Sequence, residues 1–210
     1  MEGAAAGTIV LGIGNMLWAD EGFGVRAVEA LHERYETPPG VTLLDGGTQG
    51  LLLLDHVCDA RRVLVFDAID YGLEPGALRV LRDDEIPAWA PAKMSLHQAS
   101  FQEVIALARL RGRVPEAMTL VGVQPAVLAD FGGSLTEPVR ARLDEAVLIA
   151  VAELEAWGLP CVPREAPPGE RLNSGALALD AYEGGRPTAL DACRVGDARF
   201  LNQRHEIEGR

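Results

Sequence analysis

Apolar runs broken by polar and glycine-rich stretches divide this chain into alternating short and long segments. Thr8–Gly14 is a brief apolar run closed by glycine, the pattern of a strand buried on both faces. Gly24, Val28, Leu31 and Tyr35 then recur at helical spacing until Pro38-Pro39-Gly40 stops them. Val41–Leu44 predicts a second strand ending in Asp45-Gly46-Gly47-Thr48, and Leu51, Leu54 and Val57 or Cys58 a short helix behind it. Val63–Phe66 is a third strand that runs directly into Asp67-Ala68. Gly76–Leu81 alternates with polar positions, including Arg79, and reads as an edge strand. Beyond a Pro-rich loop, 83–94, Ser95-Leu96-His97-Gln98 fits a capping box ahead of an apolar face of Phe101, Val104, Ile105 and Ala108. Ala117–Val123 is the last clear strand. A single long helix is predicted after it, capped by Thr136, with Val139, Leu143, Val147, Ala150, Leu154 and Trp157 on one face.

Strands alternating with helices predict an α/β fold. The expected architecture is a single domain, a three-layer αβα arrangement over residues 1–163. Its sheet is mainly parallel and twisted, with about five strands including the edge strand. Residues 164–210 lose the pattern and are expected to form an extension, partly docked or disordered. Ile207-Glu208-Gly209-Arg210 matches the recognition site of a tag-removing protease and is set aside from the functional reading.

Composition narrows the function classes. The 210 residues carry a net charge of −12, nearly all of it in the body, which argues against nucleic acid or an anionic membrane as partner. A basic or metal-carrying partner suits the charge better. Three dispersed cysteines without a CxxC pair read as free thiols in a reducing compartment. No apolar run approaches the roughly 18–20 residues a membrane span needs, and Met1–Ala6 lacks the cationic start of a secretory signal. A cytoplasmic, monomeric protein is expected.

Three acid-bearing motifs follow predicted strands directly: Asn15 with Asp20-Glu21, the Asp45 turn, and Asp67. His97 stands at a helix start. Parallel strands point the same way, so these groups should converge on one exposed edge. Two carboxylates and an imidazole there make a three-ligand site for a divalent metal. The helix dipole should favour an anionic Glu21 and a neutral His97, the forms that bind metal. Each acid alone is equally readable as a turn former or cap, and Asp20 stays open between cap and base. Lys93, the only lysine, is a candidate anion anchor near His97. Gly12-Ile13-Gly14 begins like a dinucleotide fingerprint, with Asp45 in the place of the ribose acid. Leu17 stands where the third glycine belongs, however, and the acids beyond it would face the pyrophosphate.

Together these motifs resemble the nickel–iron hydrogenase maturation endopeptidases. The resemblance spans roughly residues 7–163 and rests on Gly12-Ile13-Gly14-Asn15, Asp20-Glu21-Gly22-Phe23-Gly24-Val25 and Leu44-Asp45-Gly46-Gly47-Thr48. Asp67-Ala68, Ser95-Leu96-His97-Gln98 and Leu120-Val121-Gly122-Val123-Gln124-Pro125 complete it. It implies an endopeptidase that trims the C-terminus of the hydrogenase large-subunit precursor after nickel insertion. It also implies Glu21, Asp67 and His97 as metal ligands, with the nickel belonging to the substrate. Asp45 becomes the candidate for orienting water or the scissile peptide, and a nearby free carboxylate, Asp45 or Asp20, the candidate general base of an aspartic-type endopeptidase. Loops 83–94 and 124–135, with Trp18 and Trp89, are candidates for gripping the peptide. A non-catalytic nickel-sensing chaperone is the alternative, and a nucleotide-binding enzyme a more distant one.

Overall fold

The computed structural model describes residues 7–88, 96–128 and 132–185, with side chains described outside 87–88 and 96–100. The expected cap at Ser95, along with Trp89 and Lys93, lies outside the described residues.

Five strands form one sheet: β1 (Thr8–Ile13), β3 (Val41–Gly47), β4 (Arg62–Ala68), β5 (Leu78–Arg82) and β6 (Ala117–Val123). Their order is β3-β1-β4-β6-β5, parallel throughout except for β5, which runs antiparallel to β6 along one edge. The polar alternation of β5 thus marks an edge, as its sequence predicts. A two-residue strand, β2 (Tyr35–Glu36), pairs antiparallel with β7 (Val162–Pro163) in a separate ribbon.

Helices cover both faces. On one lie α1 (Phe23–Arg34) and α6 (Leu143–Ala156), with Val10, Leu64, Phe66 and Val121 from the strands packed against Leu31, Val147 and Leu154. On the other lie α2 (Leu54–Asp59) and α4 (Leu96–Leu110), where Leu11, Val63 and Val65 meet Val57, Val104 and Ile105. Alternation along each strand sorts the side chains between these two cores. A short turn of helix, α3 (Glu85–Ala88), follows β5.

The long helix expected after Thr136 is two helices. The first, α5 (Glu137–Arg140), ends at the Ala141–Arg142 turn before α6 begins. Thr136 occupies the N-cap position but makes no side-chain cap bond. Its hydroxyl is drawn to Asp20 instead.

Residues 1–175 form one compact unit and 176–210 a second. Within the second, the described residues carry one short helix, α7 (Leu179–Gly184).

The sheet order places a topological switch beside β1. From β1 the chain passes to β3 on one side, then crosses to β4 on the other, so the connections leaving β1 and β4 diverge and open a crevice at their C-terminal ends.

Candidate functional site

The first wall of that crevice is the turn after β1. Gly12 pairs with Asp45 and Ile13 with Gly47, so the β1–β3 register shifts by one residue and Gly46 bulges. Gly14 has φ +131°, and a side chain on it would collide with the Glu21 carbonyl. Gly24 opens α1 so close to the sheet that a Cβ would strike the carbonyl oxygens of Ile13 and Phe66. These contacts draw the 15–22 turn down onto the ends of β1 and β4. Within it, Asn15 Oδ1 accepts from Leu17 N at 3.0 Å, Asn15 O accepts from Trp18 N at 3.0 Å, and a 3-10 turn spans Ala19–Gly22.

Asp20 and Glu21 take different parts. Asp20 is fully buried. One of its oxygens accepts the amides of Ala126 (2.8 Å) and Val127 (2.9 Å), the other the amide of Thr136 (2.7 Å), and the Thr136 hydroxyl reaches both. Considered from sequence as a base, Asp20 instead clasps the connection that follows β6. Oxygens committed to four donors are not available to take a proton from water.

Glu21 is half-buried, and burial pushes its carboxyl up to about 7. The expectation that the helix dipole keeps it anionic fails here, because desolvation outweighs the dipole.

Across the crevice, Asp67 closes β4. It is 4% exposed, not on an open edge as expected, and its Oδ1 accepts from Ala68 N at 2.8 Å. Burial holds this carboxyl well above the usual range; the Ala68 amide opposes the shift and the Glu21 charge adds to it. Glu21 and Asp67 therefore share one electrostatic environment, as their positions after β1 and β4 require.

Asp67 pairs in register with Gly122 of β6. A side chain on Gly122 would run into the Tyr71 hydroxyl, so the phenol lies over this glycine. Burial and then the Asp67 charge push the Tyr71 hydroxyl up. Tyr71 was not found by sequence reasoning; its signal is a glycine inside a buried strand opposite a buried acid. Gln124 secures the same loop: its Oε1 accepts from Tyr71 N (2.7 Å) and Leu73 N (3.1 Å), and its Nε2 donates to Asp70 Oδ1 (3.1 Å).

His97 is the second residue of α4. The helix leads by a short connection into the start of β6, so it runs against the parallel strands and begins at their C-terminal edge. Alternation puts Asp67 on the α4 face, with Val63 and Val65. The His97 side chain lies outside the described residues. Among the described residues, no three His, Cys, Asp or Glu form a metal-binding group.

Asp45 shares the edge but not the face. It follows Val41 and Leu43 onto the α1 side, where burial raises its carboxyl while hydrogen bonds from Asn173 and the Gly47 amide lower it; Glu29 and Arg26 act more weakly, in opposite directions. Of the sequence-derived acids, the structure brings Glu21 and Asp67 together and sets Asp45 apart.

Apolar side chains rim the edge. Leu17, Leu51, Leu52, Leu73 and Val127 leave the ends of β1, β3, β4 and β6, and all are exposed, Leu52 by 76%. No helix among the described residues is long and apolar enough to cross a membrane.

Comparison with known proteins bears on the chemistry of this edge. Residues 25–153 match the family model described as hydrogenase maturation protease. A "hydrogenase expression/formation protein HupM" from Azotobacter chroococcum is 56% identical over 204 residues, covering 97% of each chain. The "hydrogenase 2 maturation protease" of Escherichia coli is 42% identical over 159 residues, 75% of this chain and 96% of its own. Among solved structures, the E. coli hydrogenase maturating endopeptidase HybD superposes with a TM-score of 0.72 at 40% identity, over 75% of this chain and 98% of its own.

Proposed function

The chain belongs to the hydrogenase maturation protease family, and from that premise we propose that it removes a C-terminal peptide from the nickel-loaded precursor of the nickel–iron hydrogenase large subunit. The observation that carries this reading is the Glu21–Asp67 pair facing one crevice at the switch point of the sheet. Burial makes both carboxylates costly to ionise without a cation, and a divalent ion in place of their protons offsets that cost. The two carboxylates therefore suit a divalent cation such as nickel.

In this reading Glu21, Asp67 and His97 hold the nickel of the substrate. Held by them, the ion would supply Lewis-acid polarisation of the scissile carbonyl and activation of water. Asp20 fixes the connection after β6 that flanks the crevice. Asp45 orients the Asp45–Gly47 turn and the peptide lying over it. The apolar rim supports an extended peptide as substrate, since exposed apolar patches of this kind mark protein contacts. A cytoplasmic setting agrees with the free thiols of Cys58 and Cys161.

The protonation of Glu21 supplies a test. Nickel needs the carboxylate, and a group that titrates at about 7 is mostly protonated at pH 6. The kcat/KM for precursor processing, read as release of the C-terminal peptide, should fall by at least about tenfold per pH unit well below 7, because Asp67 must lose its proton as well. Glu21→Gln should remove processing at every pH. A flat profile between pH 5.5 and 8 would sink the ligand role of Glu21.

A further inference from the structure

Beyond β7 the chain does not leave the body but returns along α1. Arg164 N donates to Arg34 O (2.8 Å), and Arg164 Nε donates to His32 O (3.1 Å) and Tyr35 O (3.0 Å). Glu170 O lies 2.9 Å from His32 Nε2. Leu172 then packs against the core under α1 and α6, and Asn173 Nδ2 donates to Glu29 Oε1 at 2.9 Å. The contacts on α1 move from 34 to 32 to 29, so this segment climbs the helix toward the C-terminal edge of the sheet.

At its upper end Asn173 joins two acids. Besides donating to Glu29 it lies by the Asp45 carboxylate, whose ionised form it favours. Arg26, 4% exposed, donates to the other Glu29 oxygen at 2.8 Å. The network has two carboxylates and one guanidinium, so a neutral amide that donates to Glu29 and favours the charge on Asp45 lets them stand close in a half-buried place. An apolar residue there would leave Glu29 short of a donor, and an acid would add a third negative charge.

Asp45 passes this restraint on. The Gly47 amide favours its charge, and a Cβ on Gly47 would stand 3.3 Å from Asp45 Oδ1; Gly47 turns with φ +43°, and Gly47 O accepts from Gly14 N at 3.0 Å. Gly14 in turn sits against the Glu21 carbonyl. A continuous set of contacts thus runs from residue 173 to the turn carrying Glu21.

We propose that residues 164–175 form a strap and that Asn173 is a positioning residue, holding Asp45 and through it the glycine turn at the edge where the precursor is processed. The strap rests on the processing reading for its purpose, but its contact with Asp45 is testable without it. Arg26 and Glu29 from α1, with Asn173, are the groups that face the Asp45 carboxyl.

The test is the carboxyl-carbon NMR titration of Asp45 in the full chain and in Asn173→Ala, together with processing rates for Asn173→Ala, Asp45→Asn and the double variant. Asp45 should titrate at higher pH in Asn173→Ala, because the lost amide favours the ionised form. The kcat/KM of Asn173→Ala should fall about tenfold, and the double variant should match Asp45→Asn alone. An unchanged Asp45 titration overturns the proposal, even if thermal stability drops, because a packing residue alone would do that. Effects that multiply in the double variant overturn it too. If the parent chain does not process the precursor, the titration still decides the contact, and it is the processing reading that has failed.

Discussion

Asp67→Asn should abolish precursor processing without lowering stability, and at alkaline pH it should make the chain more stable than its parent. The side chain is 4% exposed and takes one backbone hydrogen bond, from Ala68 N, which an asparagine oxygen also accepts. What changes is the charge. The folded carboxyl titrates well above its ordinary value, so between the two values the folded state binds more protons than the unfolded state. Stability of the parent therefore falls as pH rises through that window, and an asparagine has no such dependence. Thermal unfolding should find Asp67→Asn no lower than the parent at pH 7 and higher at pH 9, on a scale of about 2–4 °C per kcal/mol for a chain of this size. Processing should drop at least about a hundredfold, since even residues that only support a metal ligand cost about 10–100-fold when changed. A purely structural Asp67 predicts the reverse: lower stability and near-normal processing.

Asp20→Ala should instead be among the most destabilising single substitutions in the chain. It strips the acceptors from three buried or part-buried amides, those of Ala126, Val127 and Thr136, and from the Thr136 hydroxyl. Each orphaned donor costs about 1–3 kcal/mol, so a loss of about 3 kcal/mol or more follows, or roughly 6–12 °C in Tm. Asp20→Asn should recover only part of it, because its amide nitrogen would face donors. Denaturant or thermal unfolding checks the ordering of the three. Equal stability of parent and Asp20→Ala would refute the clasp.

Strand ends were legible because short apolar runs closed by glycine or an acid alternate with helical patterns, and parallel strands end on one edge. Asp67 after Val63–Phe66 and the Asp20-Glu21 pair in the turn after Thr8–Gly14 were placed on that edge by the shared strand direction. The partition of the acids was not legible, because it depends on partners distant in sequence. Asp20 bonds residues 106 to 116 positions away, and Asn173 meets Glu29 across 144. The Glu21 charge state was misjudged because the dipole is visible in sequence and burial is not. The break between α5 and α6 escaped the apolar periodicity, which runs on through Val139, Leu143 and Val147 across the turn. Thr136 looks like a cap by residue type, yet Asp20 claims its hydroxyl.

Nickel-dependent cleavage at the Glu21–Asp67 edge is the activity proposed for this chain. Its most direct test is the intact mass of large-subunit precursor, nickel-loaded and nickel-free, after incubation with the parent chain. The expected result is loss of a C-terminal peptide from the nickel-loaded precursor only, and no loss with Asp67→Asn. A nickel-loaded precursor that binds the chain but keeps its full mass would contradict the account and leave a nickel-sensing chaperone in its place.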